Sequence, residues 1–201
     1  MSEQNPILLY QQQKGSKPVI EDIIPKIITD KSKQKIALDF VVWLRQNKIQ
    51  LAWGNLKNSW AWKANYKGKT IIGITMKSDS WVDYDNKFWY IIPYFNLKKH
   101  TEALMNEKLK NFIQDNQSYC VHGVNRRRKG NCNPKRVCAG GISKTIFGKD
   151  FAGLCCGGNL NSTDKIGVTF FDPDDVMIDW VKKLVELEKK TREEAIQKNK
   201  K

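Results

Sequence analysis

The chain has five cysteines, the residues best suited to chemistry, and all of them fall within 37 residues. They are Cys120, Cys132, Cys138, Cys155 and Cys156. Thiolates bind Zn²⁺ with tetrahedral geometry when a folded segment brings four ligands together. Because the number is odd and no secretory signal is evident at the N-terminus, a framework of disulfides is not expected. The clustering therefore predicts a metal site.

Five thiols and the imidazole of His122 exceed the four ligands of a closed zinc site. Adjacent residues seldom ligate one ion, so we choose between Cys155 and Cys156. The predicted zinc ligands are Cys120, Cys132, Cys138 and Cys155, with His122 and Cys156 as alternates. A structural zinc would supply about 10 kcal/mol or more of ordering to a segment that is poor in large apolar residues. Reduced thiols without an ion, thiols with a redox role, or ligands of an iron–sulfur cluster are the alternatives.

The cysteine segment is also strongly basic. From Cys120 through Lys149 there are eight Lys or Arg residues and no Asp or Glu. The candidate nucleic-acid-binding residues among them are Arg126, Arg127, Arg128, Lys129, Lys135 and Arg136. Neutralised phosphates release counterions, so such a segment predicts binding to nucleic acid or another polyanion. The alternative is a solvated basic surface.

A second candidate site is aromatic. Four aromatic side chains of the predicted strands could line a small-molecule pocket on one sheet face. These candidate ligand-binding residues are Trp60, Trp62, Tyr66 and Trp89. Most such side chains simply pack in a core, which is the alternative interpretation. Catalysis has less support, because neither histidine sits in a nucleophile–base pattern and no Gly-x-Ser-x-Gly occurs.

Composition sets the class of protein. The 201 residues are 40% hydrophobic and carry a formal net charge of +14. This balance favours a folded globular protein over a disordered one. No apolar run approaches the ~20 residues of a membrane span, so we expect no membrane partner and a cytoplasmic location.

The hydrophobic spacing predicts an α+β fold in which helices pack on a small antiparallel sheet. The predicted helices cover 21–29, 33–47 (capped by Ser32) and 102–116. A last helix opens at Asp172-Pro173 and runs past Lys190, with a charged tail from Lys189 that is expected to fray. The predicted strands cover 59–66, 70–76, 87–94 and 165–171. The expected division is a flexible lead-in (1–18), an α+β core (19–117), a cysteine-rich basic loop (118–160), and the closing strand and helix of the core (161–201).

Several short blocks resemble a family of cysteine-bearing proteins from clostridia and related bacteria, over roughly residues 35–190. The front blocks are Ala37-Leu38-Asp39-Phe40, Ser59-Trp60 and Tyr66-Lys67-Gly68-Lys69. The back blocks are Cys120, Thr145-Ile146-Phe147-Gly148-Lys149-Asp150-Phe151 before Cys155, and Asp172-Pro173-Asp174. The resemblance implies no activity. In that family the first cysteines lie close together, whereas here His122-Gly123 and the run Arg126–Lys129 separate Cys120 from Cys132, which leaves the second ligand open.

Together these features favour a non-enzymatic binding protein with a structural zinc site. Its ligand is either a small molecule at the aromatic face or an anionic polymer at the basic loop. The alternative function is a thiol-based redox sensor or enzyme that uses Cys155 or Cys156.

Overall fold

The structure is a computed structural model that describes residues 15–54, 60–76, 87–94, 100, 107–117, 142–154 and 168–198. It divides into two compact units. The first unit joins Met1–Tyr94 to Phe170–Lys201, and the second is Phe95–Thr169. Residues 95–117, expected in the core, are thus grouped with the basic segment.

The helices and strands follow one another as α1 (Ile20–Ile27), α2 (Lys31–Gln46), β1 (Gln50–Trp53), β2 (Trp60–Tyr66), β3 (Lys69–Met76), β4 (Trp89–Pro93), α3 (Glu107–Asp115), β5 (Ile142–Ile146), β6 (Lys149–Leu154), β7 (Phe170–Phe171) and α4 (Asp175–Lys198). This is the α+β fold that the hydrophobic spacing predicts. In the part of the chain that the structure describes, no helix is long and apolar enough to cross a membrane.

The first unit is built on an antiparallel sheet with the strand order β1-β2-β3-β4-β7. The predicted meander of three strands is confirmed as β2, β3 and β4. A two-residue turn joins β2 to β3, and its Lys67 and Gly68 have φ angles of 47° and 75°. Positive φ at both positions is typical of a type I′ turn, whose twist matches that of the strands it connects.

One face of this sheet carries the apolar core. The register pairs Trp60 with Met76 and Met76 with Trp89, so these side chains share a face. Helix α2 covers that face, since the ring of Phe40 lies 6.5 Å from the ring of Trp89. Helix α1 contributes a stripe of buried isoleucines, namely Ile20, Ile23, Ile24 and Ile27.

Helix α2 begins earlier than the sequence pattern predicts. Its cap is Asp30 and not Ser32, because Asp30 Oδ1 accepts hydrogen bonds from the backbone N–H groups of Ser32 (2.9 Å) and Lys33 (3.1 Å). Carboxylates and hydroxyls both cap helices, so two neighbouring candidates leave the start uncertain by a residue or two.

Asp172 has a different role from the helix cap that the sequence suggests. Asp174 is the residue that caps α4, since its Oδ1 accepts a bond of 2.8 Å from the backbone N–H of Met177. The Asp172 side chain is only 2% exposed and pairs with Lys33 Nζ at 3.0 Å. Its other oxygen accepts the backbone N–H groups of Phe88 (2.7 Å) and Trp89 (3.0 Å). One carboxylate therefore joins the start of β4, the end of β7 and helix α2.

Helix α4 runs past Lys190, as the sequence pattern predicts, and it stays helical through Lys198 instead of fraying from Lys189. Its last turns bind the β2–β3 turn. Arg192 Nη1 donates to the carbonyl oxygens of Tyr66 (3.4 Å) and Lys69 (3.3 Å), while Nε pairs with Glu188 at 2.5 Å. These contacts give the charged end of the helix a partner that its own sequence does not reveal.

The second unit contains α3, which lies within the helix predicted over 102–116, and the β5–β6 hairpin, where the sequence predicts only a loop. A single bridge pairs Gln117 with Val168, and the N–H of Thr169 donates to the carbonyl of Asn116 at 3.2 Å. These pairings close the stretch 118–167 at its base. Residues 101–106 of the predicted third helix lie outside the described residues.

Replacing Asp172 tests this cross-link. Asp172→Ala leaves the N–H groups of Phe88 and Trp89 and the charge of Lys33 without their acceptor, and we expect a loss of about 3 kcal/mol in the free energy of unfolding. Asp172→Asn keeps an acceptor and tolerates the positive φ of 40°, so its loss should be about 1 kcal/mol. Urea denaturation followed by circular dichroism measures both. Equal stabilities of the two variants would contradict the assigned role.

Candidate functional site

The predicted metal ligands and the densest basic residues lie outside the described residues. This holds for Cys120, Cys132, Cys138, Cys155, Cys156 and His122, and for the basic residues at 126–129, 135 and 136. Within the described ranges, no group of three or more His, Cys, Asp or Glu side chains is placed to hold a metal ion. The zinc site therefore stays a prediction.

The four candidate aromatic residues lie in the packed interior of the first unit. Trp60 is 1% exposed, Trp62 3%, Tyr66 7% and Trp89 1%. The rings of Trp60 and Trp62 stack at 6.4 Å with an angle of 11°, and Trp53 meets Trp62 edge-on at 5.3 Å. This geometry is that of aromatic core packing.

The polar ends of two of these side chains are engaged by the protein itself. Trp62 Nε1 donates to the carbonyl of Pro18 at 3.2 Å, which fixes the segment before α1 to the sheet. The Tyr66 hydroxyl donates to the carboxylate of Glu193 on α4. Both groups serve the fold, which supports the core interpretation of the aromatic face.

Two matched substitutions test which of these indole groups stabilises the fold. In the part of the chain that the structure describes, no acceptor contacts the buried Trp89 Nε1, whereas Trp62 Nε1 has Pro18. Trp62→Phe and Trp89→Phe remove the same atoms from similarly buried sites. We expect Trp62→Phe to lower the free energy of unfolding by about 1 kcal/mol more than Trp89→Phe, because only the former breaks a hydrogen bond. Equal losses in urea denaturation would contradict the assignment.

The contact between Tyr66 and Glu193 changes the acidity of both groups. The hydrogen bond from Tyr66 holds the pKa of Glu193 below its usual 4.5, with Lys67 Nζ, 3.6 Å away, adding to the effect. The same hydrogen bond, with desolvation second, raises the pKa of Tyr66 above its usual 10.0. The contact requires an ionised Glu193 and a protonated Tyr66.

The lowered pKa of Glu193 and the raised pKa of Tyr66 predict that their contact stabilises the fold only over an intermediate range of pH. A lowered carboxyl pKa contributes stability above pH 4.5 that is lost as the pH falls, and a raised tyrosine pKa contributes stability below pH 10.0 that is lost as the pH rises. The stability advantage of the wild type over Tyr66→Phe should therefore be largest near neutral pH and shrink at both extremes. Urea denaturation of both proteins from about pH 3 to pH 11 measures it. An advantage that is constant with pH would contradict the contact.

The surplus of positive charge is concentrated in the second unit. That unit has thirteen Lys and Arg against five Asp and Glu in 75 residues, and so carries +8 of the net +14. The first unit has 22 against 16 over 126 residues. An electrostatic surface for a polyanion is therefore favoured in the second unit.

The β5–β6 hairpin is the described part of this basic region. Its register pairs Lys144 with Phe151 and Ile146 with Lys149, so both lysines share one face. Lys149 is exposed, and its Nζ stands 5.3 Å from the centre of the Phe151 ring. An open depression of about 450 Å³ lies along the hairpin. It is lined by Ser143, Lys144, Thr145, Asp150, Phe151 and Ala152.

The turn of this hairpin has an unusual residue at its tip. Phe147 and Gly148 have φ angles of 51° and 80°, the signature of a type I′ turn. Asn, Asp or Gly normally occupies the first of these positions, and a left-handed conformation costs a bulky residue about 1 kcal/mol or more. Buried Gln114 of α3 anchors the tip, since its Nε2 donates to the carbonyl of Ile146 at 2.8 Å.

Comparison of the chain with protein-family models, with curated proteins and with solved structures finds no match. The resemblance to cysteine-bearing clostridial proteins accordingly stays an expectation.

Proposed function

We propose that this chain is a non-enzymatic binding protein whose ligand is a nucleic acid or another anionic polymer, bound by the basic segment of the second unit. The concentration of charge carries this proposal. Eight Lys or Arg residues and no acid occur from Cys120 through Lys149, inside a unit with a net charge of +8. Phosphate backbones bind such segments with release of counterions.

The fold supports an appended binding segment. The bridge between Gln117 and Val168 pairs the residues that flank the stretch 118–167, so the start and the end of the stretch lie next to each other. The small-molecule alternative is less well supported, because Trp62 and Tyr66 direct their polar groups to Pro18 and Glu193.

A structural zinc ion is proposed to brace the segment, with Cys120, Cys132, Cys138 and Cys155 as ligands and His122 and Cys156 as alternates. The hairpin register is compatible with it. Ile142 pairs with Leu154, so Cys155 follows one strand directly while Cys138 lies four residues before the other. Four residues span at most about 14 Å, and paired strands are about 5 Å apart, which leaves both thiols within reach of one ion.

Binding of a labelled oligonucleotide, measured by fluorescence anisotropy, tests the proposed ligand. We expect the affinity to fall steeply between about 50 mM and 200 mM salt, and to fall about tenfold or more when Arg126, Arg127, Arg128 and Lys129 are changed to Gln. The matched control changes four exposed lysines of the first unit to Gln, namely Lys26, Lys63, Lys190 and Lys198. Equal losses in the two variants, or no binding at low salt, would contradict the proposal.

Elemental analysis of the purified protein tests the proposed ion. We expect one zinc per chain, with thiols that react slowly until a chelator is added. Rapid reaction of the thiols in metal-replete protein would instead favour the alternative function, a thiol-based redox sensor or enzyme using Cys155 or Cys156.

A further inference from the structure

The tip of the β5–β6 hairpin combines features that the fold alone does not explain. Phe147 occupies the first position of its turn with a φ of 51°, where a bulky side chain is disfavoured. Its side chain is only partly buried. An aromatic ring held in an unfavourable backbone conformation and accessible to solvent suggests a role outside the core.

The tip is also held in place. Gln114, 7% exposed, donates from Nε2 to the carbonyl of Ile146 at 2.8 Å, and the carbonyl of Phe147 lies 3.5 Å from the same nitrogen. A buried amide of α3 thus fixes the backbone from which the ring projects. A preorganised aromatic side chain binds a planar ligand with a small loss of conformational freedom.

A positively charged side chain lies two residues from Phe147 in the sequence. Lys149 follows the turn directly and is exposed, and Lys144 shares its face of the hairpin. The neighbouring carboxylate of Asp150 accepts a hydrogen bond of 2.7 Å from the Thr145 hydroxyl, and this pair points to the other face. An accessible aromatic ring near an exposed lysine is a combination by which proteins bind unpaired bases and their phosphates.

We propose that the hairpin tip selects single-stranded nucleic acid, with an unpaired base stacked on Phe147 and an adjacent phosphate neutralised by Lys149. This inference rests on the proposed polyanion-binding function and narrows its ligand. In a duplex the bases are already stacked on each other, so the ring has no face to contact. Inorganic polyphosphate offers charge without a base.

The experiment compares three probes by fluorescence anisotropy or competition, using the full chain. They are a single strand of about 20 nucleotides, the duplex of the same length, and inorganic polyphosphate. The decisive variant is Phe147→Asn, because Asn suits the turn and removes the ring. Phe147→Trp, which keeps an aromatic face, is the matched control.

We expect the wild type to prefer the single strand. Phe147→Asn should weaken single-strand binding about tenfold, leave polyphosphate binding unchanged and raise the midpoint of urea unfolding. Phe147→Trp should retain the affinity. If the wild type binds all three probes equally and Phe147→Asn binds the single strand as well as the wild type does, the stacking role is wrong while polyanion binding stands. If the wild type binds none of the probes, both proposals fail.

Discussion

The buried carboxylate of Asp172 is the interaction on which the first unit depends. It accepts two backbone N–H groups at the start of β4 and the ammonium group of Lys33 on α2. Residues that are 139 positions apart in the chain are joined by it. Because it lies between β7 and α4, it fixes where the chain rejoins the sheet after residue 169.

The core of the first unit and the proposed binding segment are different parts of the chain. The first unit buries its tryptophans and isoleucines between the sheet and the helices, so it has a core of its own. The stretch 118–167 starts and ends at the bridge between Gln117 and Val168. The basic residues proposed to bind a polyanion belong to this stretch, whereas the sheet and its buried tryptophans belong to the first unit. Fold and proposed function are thereby assigned to different stretches.

Much of the first unit follows from sequence patterns. The alternation in β2 and the Lys67-Gly68 turn predict the meander, and the periodicity of apolar residues predicts α1 and α2. Strand β1 was missed, because four residues with exposed and half-buried side chains carry too short a pattern. The partner of the α4 tail was also missed, since the contacts of Arg192 with the β2–β3 turn depend on tertiary structure.

The β5–β6 hairpin and Asp172 show where prediction from the sequence fails. The sequence pattern does not predict the β5–β6 hairpin, because its two strands of five and six residues stand in a segment dominated by Gly, Lys and Cys. Phe147 becomes a functional candidate only from the backbone conformation of its turn. Asp172 was assigned to helix capping because a local pattern cannot show that its oxygens reach Phe88 and Trp89. The basic segment, in contrast, is evident from composition alone.

We propose that the ligand binds the second unit and that the sheet of the first unit has only a structural role. Amide hydrogen exchange of the full chain, with and without a bound single-stranded oligonucleotide, tests this most directly. The account predicts slower exchange in peptides covering 118–154 and unchanged exchange in β2, β3 and β4. Protection in those strands with none in 118–154 would contradict it.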